Sequence, residues 1–189
     1  CDDVLAWSVL LHDVGKPPTH EFRDGRDRFP NHARAGVKLA AEILRGLRTS
    51  GRVIEGVSAC VGDHMTFVDV QSMRQSRLRR FMAEPSFGHS LELHRLDCLG
   101  SHGKMDNYAF LLDQASAWAQ EPVLPPPLIR GQDVLAMGVL PGPRIGAVLV
   151  AVQDLQLNGE IVTRDEALVA AARLLDAEKA GDTEGAAQA

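Results

Sequence analysis

Apolar positions along this chain recur at helical spacing and almost never alternate. The first run, Val4 to Leu11 with Trp7 inside it, ends in the adjacent pair His12-Asp13 and is then stopped by Gly15 and Pro17. It predicts a helix over Val4–Asp13 that is apolar nearly all round and therefore buried. Pro17-Pro18 opens a polar loop, and Arg23-Asp24-Gly25-Arg26-Asp27-Arg28 carries turn chemistry and charge. Asn31 then stands as the N-cap of a second helix, with Val37, Ala40, Leu44 and Leu47 on one face. Gly36 in its first turns lets another backbone come close. A third helix is expected over 52–65, its stripe of Ile54, Val57 and Val61 continued by His64. A short basic helix follows, with Arg74, Arg77, Arg79 and Arg80 around Leu78 and Phe81. Further helices are expected over Ser90–Leu99, where Ser90, Leu93, His94 and Asp97 share a side, and over Asn107–Gln120.

Pro122, Pro125, Pro126 and Pro127 then forbid a helix and predict a stiff extended connector. Beyond it, Gly131–Met137 and Arg144–Leu157 read as helices. Thr163-Arg164-Asp165-Glu166 is a capping box opening a last helix to about Lys179. No strand pattern and no repeat is visible. The class is all-α, a helical bundle over 1–120, a Pro-rich linker over 121–130 and a small helical subdomain over 131–189, disordered after about residue 180.

Composition narrows the function. The apolar fraction is 45%, the charged fraction 24% and the net charge −5, so no global basic field advertises nucleic acid, and any RNA contact must come from local patches. The three cysteines are odd in number and widely spaced, neither a disulfide framework nor a zinc pattern, which fits a reducing cytoplasm. No stretch approaches the ~18 apolar residues of a membrane span. The chain opens on Cys1, directly into a helix, and is read as a piece of a longer protein.

The chemistry lies in the histidines and aspartates. An isolated His-Asp pair at a helix end is ordinarily a carbonyl cap and a solvated acid. Here His12 and Asp13 are followed by His32, His64 and Asp97, each on another predicted helix. Helical bundles build metal centres from such inward residues on facing helices. Asp97, between Leu96 and Cys98, is an expensive burial without a cationic partner. Mixed imidazole and carboxylate ligands suit manganese, iron, cobalt, nickel or zinc. Two ions sharing Asp13 would lie ~3.5–4 Å apart, the spacing that clamps both oxygens of a phosphoryl displacement. Lys16 can meet a phosphate as a point charge.

These residues carry a resemblance. His12-Asp13 with a later helical Asp97 is similar to the HD superfamily of metal-dependent phosphohydrolases. Leu11–Pro17, Phe29-Pro30-Asn31-His32-Ala33-Arg34-Ala35-Gly36, Asp63-His64-Met65 and Leu96–Gly103 together resemble the HD region of bacterial tRNA nucleotidyltransferases and poly(A) polymerases. So does the ending, Gly131–Leu135, Pro141-Gly142-Pro143, Ile145-Gly146, Leu157–Ile161 and Glu166-Ala167-Leu168. The resemblance implies an HD bundle, with His12, Asp13 and Asp97 at one divalent metal and Asp13, His32 and His64 at a second (manganese, nickel, iron, cobalt, zinc or magnesium). It also implies a C-terminal part that helps hold RNA, while Asp13 and Lys16 are the residues expected at the reaction, Lys16 from its place just after the doublet. The family pattern has one more His upstream of the doublet, and its Gly-Ser and Asp-x-Asp nucleotidyltransferase head is absent from this sequence.

The expected function is therefore the C-terminal part of a tRNA nucleotidyltransferase or poly(A) polymerase. It carries a phosphohydrolase site for phosphomonoesters or cyclic phosphodiesters, and the upstream nucleotidyltransferase domain and tRNA are its partners. The alternatives are a free-standing HD nucleotide phosphohydrolase, or an RNA-binding module with an inactive HD site. Arg74, Arg77, Arg80 and Arg144 are the candidate RNA contacts, Arg144 beside a Gly138–Gly146 turn that presents helix N–H groups to a phosphate. His94 and His102 resemble family positions without an assignable role, and His20 and His89 read as solvated.

Overall fold

The computed structural model describes the backbone of residues 2–186 and the side chains of 2–177. The elements are helical apart from one small ribbon: α1 (Asp3–Leu11), β1 (Glu21–Arg23), β2 (Arg26–Arg28), α2 (His32–Gly46), α3 (Gly51–Asp63), α4 (Gln75–Met82), α5 (Phe87–Gly100), α6 (Asp106–Ala117), α7 (Gly131–Ala136), α8 (Pro143–Leu157) and α9 (Arg164–Ala186). The fold is all-α. The tail expected to be disordered after about 180 is helical backbone within α9 as far as Ala186, and its residues 187–189 lie outside the described residues.

Two compact units are present, Cys1–Met73 with Met82–Ala119, and Arg74–Phe81 with Gln120–Ala189. The first has a core of Leu11, Ala40, Leu44, Val57 and Val61, the periodic positions of α1, α2 and α3. The α1 N-terminus is capped by Asp2, whose Oδ1 accepts from the N–H groups of Val4 and Leu5 at 3.0 and 3.2 Å. One expectation fails at α1. It is not buried all round: Leu11 faces the core, but Leu10 is 69% exposed and Val9 is exposed beside it. An all-apolar helix has no preferred face in its pattern, so only the neighbours decide which side is covered.

Where α1 ends, successive three-residue turns take over, with Val14 N–H donating to Leu11 O and Lys16 N–H to Asp13 O. The turn is pressed against the start of α2. A Cβ on Gly15 would stand 2.0 Å from the His32 carbonyl oxygen and 2.6 Å from Gly36 N, so this approach of two backbones requires glycine. Asn31 precedes α2 in the left-handed region (φ 57°) and makes no side-chain cap. α3 stops at Asp63, two residues short of the expected end, and the chain tightens into a 3₁₀ stretch over His64–Ser72. Asn107 ties that stretch to α6 by donating to Phe67 O at 2.9 Å.

The ribbon is a second departure. β1 and β2 pair antiparallel, Glu21 with Arg28 and Arg23 with Arg26. Asp24 and Gly25 both take positive φ (53° and 72°), the two-residue turn that Asp-Gly favours. All of its strand residues are exposed, so no apolar alternation announced it.

In the second unit Ile129, Val134, Val148, Val152, Ala167, Ala171 and Leu175 form the core. α9 opens on the expected capping box: Glu166 Oε2 accepts from Thr163 N–H at 2.9 Å, and Thr163 Oγ1 accepts from Glu166 N–H at 3.3 Å. The Pro-rich stretch docks on α8, since Gln156 donates to Pro126 O and accepts from Leu128 N–H. α4 lies within the span 1–120 read as one domain, yet most of it packs with the second unit. Ser76 N–H donates to Asn158 and Arg80 pairs with Asp154.

Candidate metal centre

Each of the three histidines is positioned by the same local device. The Nδ1–H of His12 donates to Val9 O (2.9 Å), that of His32 to Phe29 O (2.8 Å) and that of His64 to Val61 O (2.7 Å). The acceptor is always the carbonyl three residues earlier. A carbonyl can only accept, so each neutral ring carries its proton on Nδ1 and turns an Nε2 lone pair inward, the tautomer an outer-shell carbonyl imposes on a metal-binding histidine.

Those lone pairs converge on Asp13. The Oδ1 of Asp13 lies 3.6 Å from His32 Nε2 and 3.8 Å from His64 Nε2, and the two Nε2 atoms are 3.0 Å apart. The centre of that triangle is about 2.0 Å from each atom, the bond length of imidazole or carboxylate to a zinc-sized ion. Three acceptors aimed at one point require a cation or a shared proton. Burial pushes the His64 pKa down, helped by the charges of His32 and His12 and opposed by the Val61 carbonyl bond and Asp13, which works against the proton. The donor set fits a divalent metal.

The other side of Asp13 is looser. His12 Nε2 lies 3.4 Å from Asp13 Oδ2 and 3.6 Å from Asp97 Oδ1. Lys16 Nζ donates to the same Oδ2 at 2.6 Å. Burial pushes the Asp13 carboxyl up, but the Lys16 hydrogen bond and the charges of His12, Lys16 and His64 outweigh it and hold the group below the usual carboxylate range. Asp97 departs from the burial expected of it. It is 45% exposed, and its bearing on the site is its position beside His12. The structure thus brings together His12, Asp13, His32, His64 and Asp97, with Lys16 among them. Phe29 and the carbonyls of Val9 and Val61 went unread; the only signal for them was their place three residues before each His.

The remaining histidines have specific surroundings. His94 stacks on Phe67 with centroids 4.6 Å apart. Its pKa is lowered by burial and by His102, against Asp97. His102 Nδ1 accepts from Lys104 N–H. His20 and His89 are not simply solvated, as expected, but pair with Asp27 and Asp2. In the second unit Arg74 and Arg77 are exposed. Arg80 chelates Asp154 Oδ1 through Nε and Nη2, Arg79 donates to Val123 O, and Arg144 donates to Leu175 O.

The HD domain family matches residues 2–97. The chain is 35% identical over 176 residues to the A-adding tRNA nucleotidyltransferase of Deinococcus radiodurans, covering 88% of this chain and 40% of that protein. It is 32% identical over 166 residues to the CC-adding tRNA nucleotidyltransferase of Thermus thermophilus, covering 85% and 37%. The chain therefore spans about two fifths of the length of these relatives. No solved structure matches significantly. Among the described residues no helix is long and apolar enough to cross a membrane. The chain belongs to the HD-domain family, and over most of its length it is similar to two tRNA nucleotidyltransferases.

Proposed function

We propose that the His-Asp centre is a metal-dependent phosphohydrolase site for phosphomonoesters or cyclic phosphodiesters, in a chain whose second unit holds RNA. The observation that carries this reading is the triangle of Asp13 Oδ1, His32 Nε2 and His64 Nε2, each nitrogen locked by a carbonyl on its far side. Those three atoms would hold one divalent ion; His12 and Asp97, with Asp13 Oδ2, would hold a second. A divalent ion bound there supplies Lewis-acid polarisation of a phosphoryl oxygen and a nucleophile drawn from water at neutral pH. The protein's own groups do the rest. Asp13 stays ionised and serves both sides. Lys16 can move its ammonium from Asp13 Oδ2 to a substrate phosphate oxygen, restoring an ion pair in either position.

A second reading, an RNA-binding module with an inactive centre, is favoured by one observation: Lys16 already neutralises the outer oxygen of Asp13. Metal content separates the two. The first reading expects about one tightly held first-row ion per chain and phosphatase activity raised by added manganese, nickel or cobalt; a chain that takes up no ion sinks it. For the second unit, RNA contact falls first to Arg74 and Arg77, with Arg80 and Arg144 adding field from their structural bonds. Replacing Arg77 or Arg144 by Ala should lower the salt slope of tRNA binding by about one unit for each phosphate that the arginine neutralises. The upstream nucleotidyltransferase head and tRNA as partner belong to the same proposal, carried by the relatives' names.

A further inference from the structure

We propose that the β1–β2 ribbon is an arm that grips single-stranded nucleic acid, presenting its terminal phosphate to the Asp13 centre. This rests on the phosphohydrolase reading and names its substrate class. The ribbon's foot stands beside the centre. Phe29 carries the carbonyl that orients His32, its ring lies 5.7 Å beneath Lys16 Nζ, and His20 packs on it at 5.4 Å while pairing with Asp27 at 2.6 Å. The ribbon itself covers no core. Two three-residue strands with every side chain exposed are marginal on their own. Its composition adds to the cost. Arg23 and Arg26 sit directly opposite each other, a like-charge pair that weakens a sheet unless an anion lies across it. Asp24 accepts from Arg28 at 3.1 Å and lies 3.9 Å from Arg23, which leaves Arg26 as the arginine of the ribbon with no acidic partner among the described residues.

Phe22 is the other unexplained residue. It projects from the ribbon's second face, 71% exposed. A flat ring in water next to arginines is the combination that single strands use: any base offers a π-face to the ring and its phosphates follow the guanidiniums. A strand passing along the ribbon's edge can stack a base on Phe22 and lay its backbone beside Arg23 and Arg26. Its end then reaches Lys16 and Asp13, where a terminal phosphate is the group the centre is built to hold.

The test uses the manganese-loaded full chain and two probes, a 3′-phosphorylated oligonucleotide of about eight nucleotides, made as RNA and as DNA, and p-nitrophenyl phosphate. The variants are Phe22→Ala and the pair Arg23→Ala/Arg26→Ala, all on exposed positions. The expected result is a KM for the oligonucleotide raised roughly ten-fold in each variant, with p-nitrophenyl phosphate hydrolysis unchanged. A loss confined to RNA identifies RNA as the substrate; equal losses leave both sugars as substrates. Unchanged oligonucleotide KM, or equal losses on both probes, overturns the arm. A wild-type chain that hydrolyses neither probe overturns the phosphohydrolase reading instead. The arm is then read from fluorescence anisotropy of the same oligonucleotides, where Phe22→Ala should weaken binding about ten-fold. Unaltered binding, or binding only to anionic phospholipid vesicles, overturns it.

Discussion

The two sides of Asp13 are built differently. On the inner side, His32 and His64 are almost fully covered, 10% and 6% exposed, and their nitrogens close with Oδ1 into a triangle of metal-site size. On the outer side, His12 reaches out to the half-exposed Asp97, and an ammonium rests on Oδ2. One carboxylate therefore joins a preorganised half-site to an open one. A rigid, dry half-site holds an ion; an open one exchanges its cation, and that is the side a substrate phosphate can enter.

The largest effect should come from the residue the two sides share. Asp13→Ala removes an oxygen from each side and leaves Lys16 without its acid. Metal affinity should fall by more than about 100-fold, since outer-shell partners alone are worth 10- to 100-fold. Phosphatase activity should vanish with it. Metal analysis after gel filtration checks this; retention of a full ion would mean the histidines suffice and Asp13 does not bridge.

Gly15→Ala comes next. Its Cβ would meet backbone atoms of α2 at 2.0 and 2.6 Å, so the doublet turn and His32 must part. A destabilisation of about 3 kcal/mol or more is expected, together with loss of the inner ion, since that side depends on the turn and α2 staying in register. Denaturant unfolding with and without metal checks both. A stability loss with the ion retained would show the inner side to be less preorganised than its geometry.

Much of this was legible in the sequence, and the part that was not has physical causes. The order His12-Asp13, His32, His64, Asp97 stood out because the doublet and the three later residues fall on four separate helical stretches, and the core of the first unit follows the periodic positions Ala40, Leu44, Val57 and Val61. The inner-outer difference was illegible. It depends on which face of each helix is covered, and Asp97 between Leu96 and Cys98 looks buried in one dimension but lies on the open side. The ribbon was missed because three-residue charged strands carry no period, although Asp24-Gly25 was the available signal. The 3₁₀ stretch over His64–Ser72 was missed because its first two residues read as the end of the third helix and 66–73 read as no element.

A pair of substitutions separates the sides directly. His64→Ala should empty the inner side and leave weak binding by His12, Asp13 and Asp97. Lys16→Met should do the reverse, freeing Oδ2 so that a second ion binds more tightly at the outer side, while phosphatase KM rises because the phosphate loses its ammonium. Isothermal titration with manganese reads both. If Lys16→Met leaves the second ion no tighter, the ammonium is not what keeps the outer side open.

The smallest effect is on acid stability of the metal-free protein. His64 on the inner side and His94, one turn before Asp97 on the outer side, both have pKa values lowered from 6.5 in the folded chain, chiefly by burial. As pH falls through about 6.5, the unfolded chain takes up protons that the folded chain refuses, so stability falls with pH from there down to the folded values. Asp13 acts in a lower window. Its carboxyl is held below 3.8, so its contribution is complete above that value and is lost only in stronger acid. The two histidines can be told apart. His94→Phe keeps a ring on Phe67 and removes the titrating group, so stability at pH 7 should change little while the decline between pH 7 and 5 becomes shallower by the outer side's share. Added manganese should steepen the decline in both proteins, because protons then compete with the ion for the inner nitrogens. Thermal melts across that range measure the slopes. A slope unaltered by His94→Phe assigns the acid lability to the inner side alone, where burial is deeper and the two imidazoles face each other.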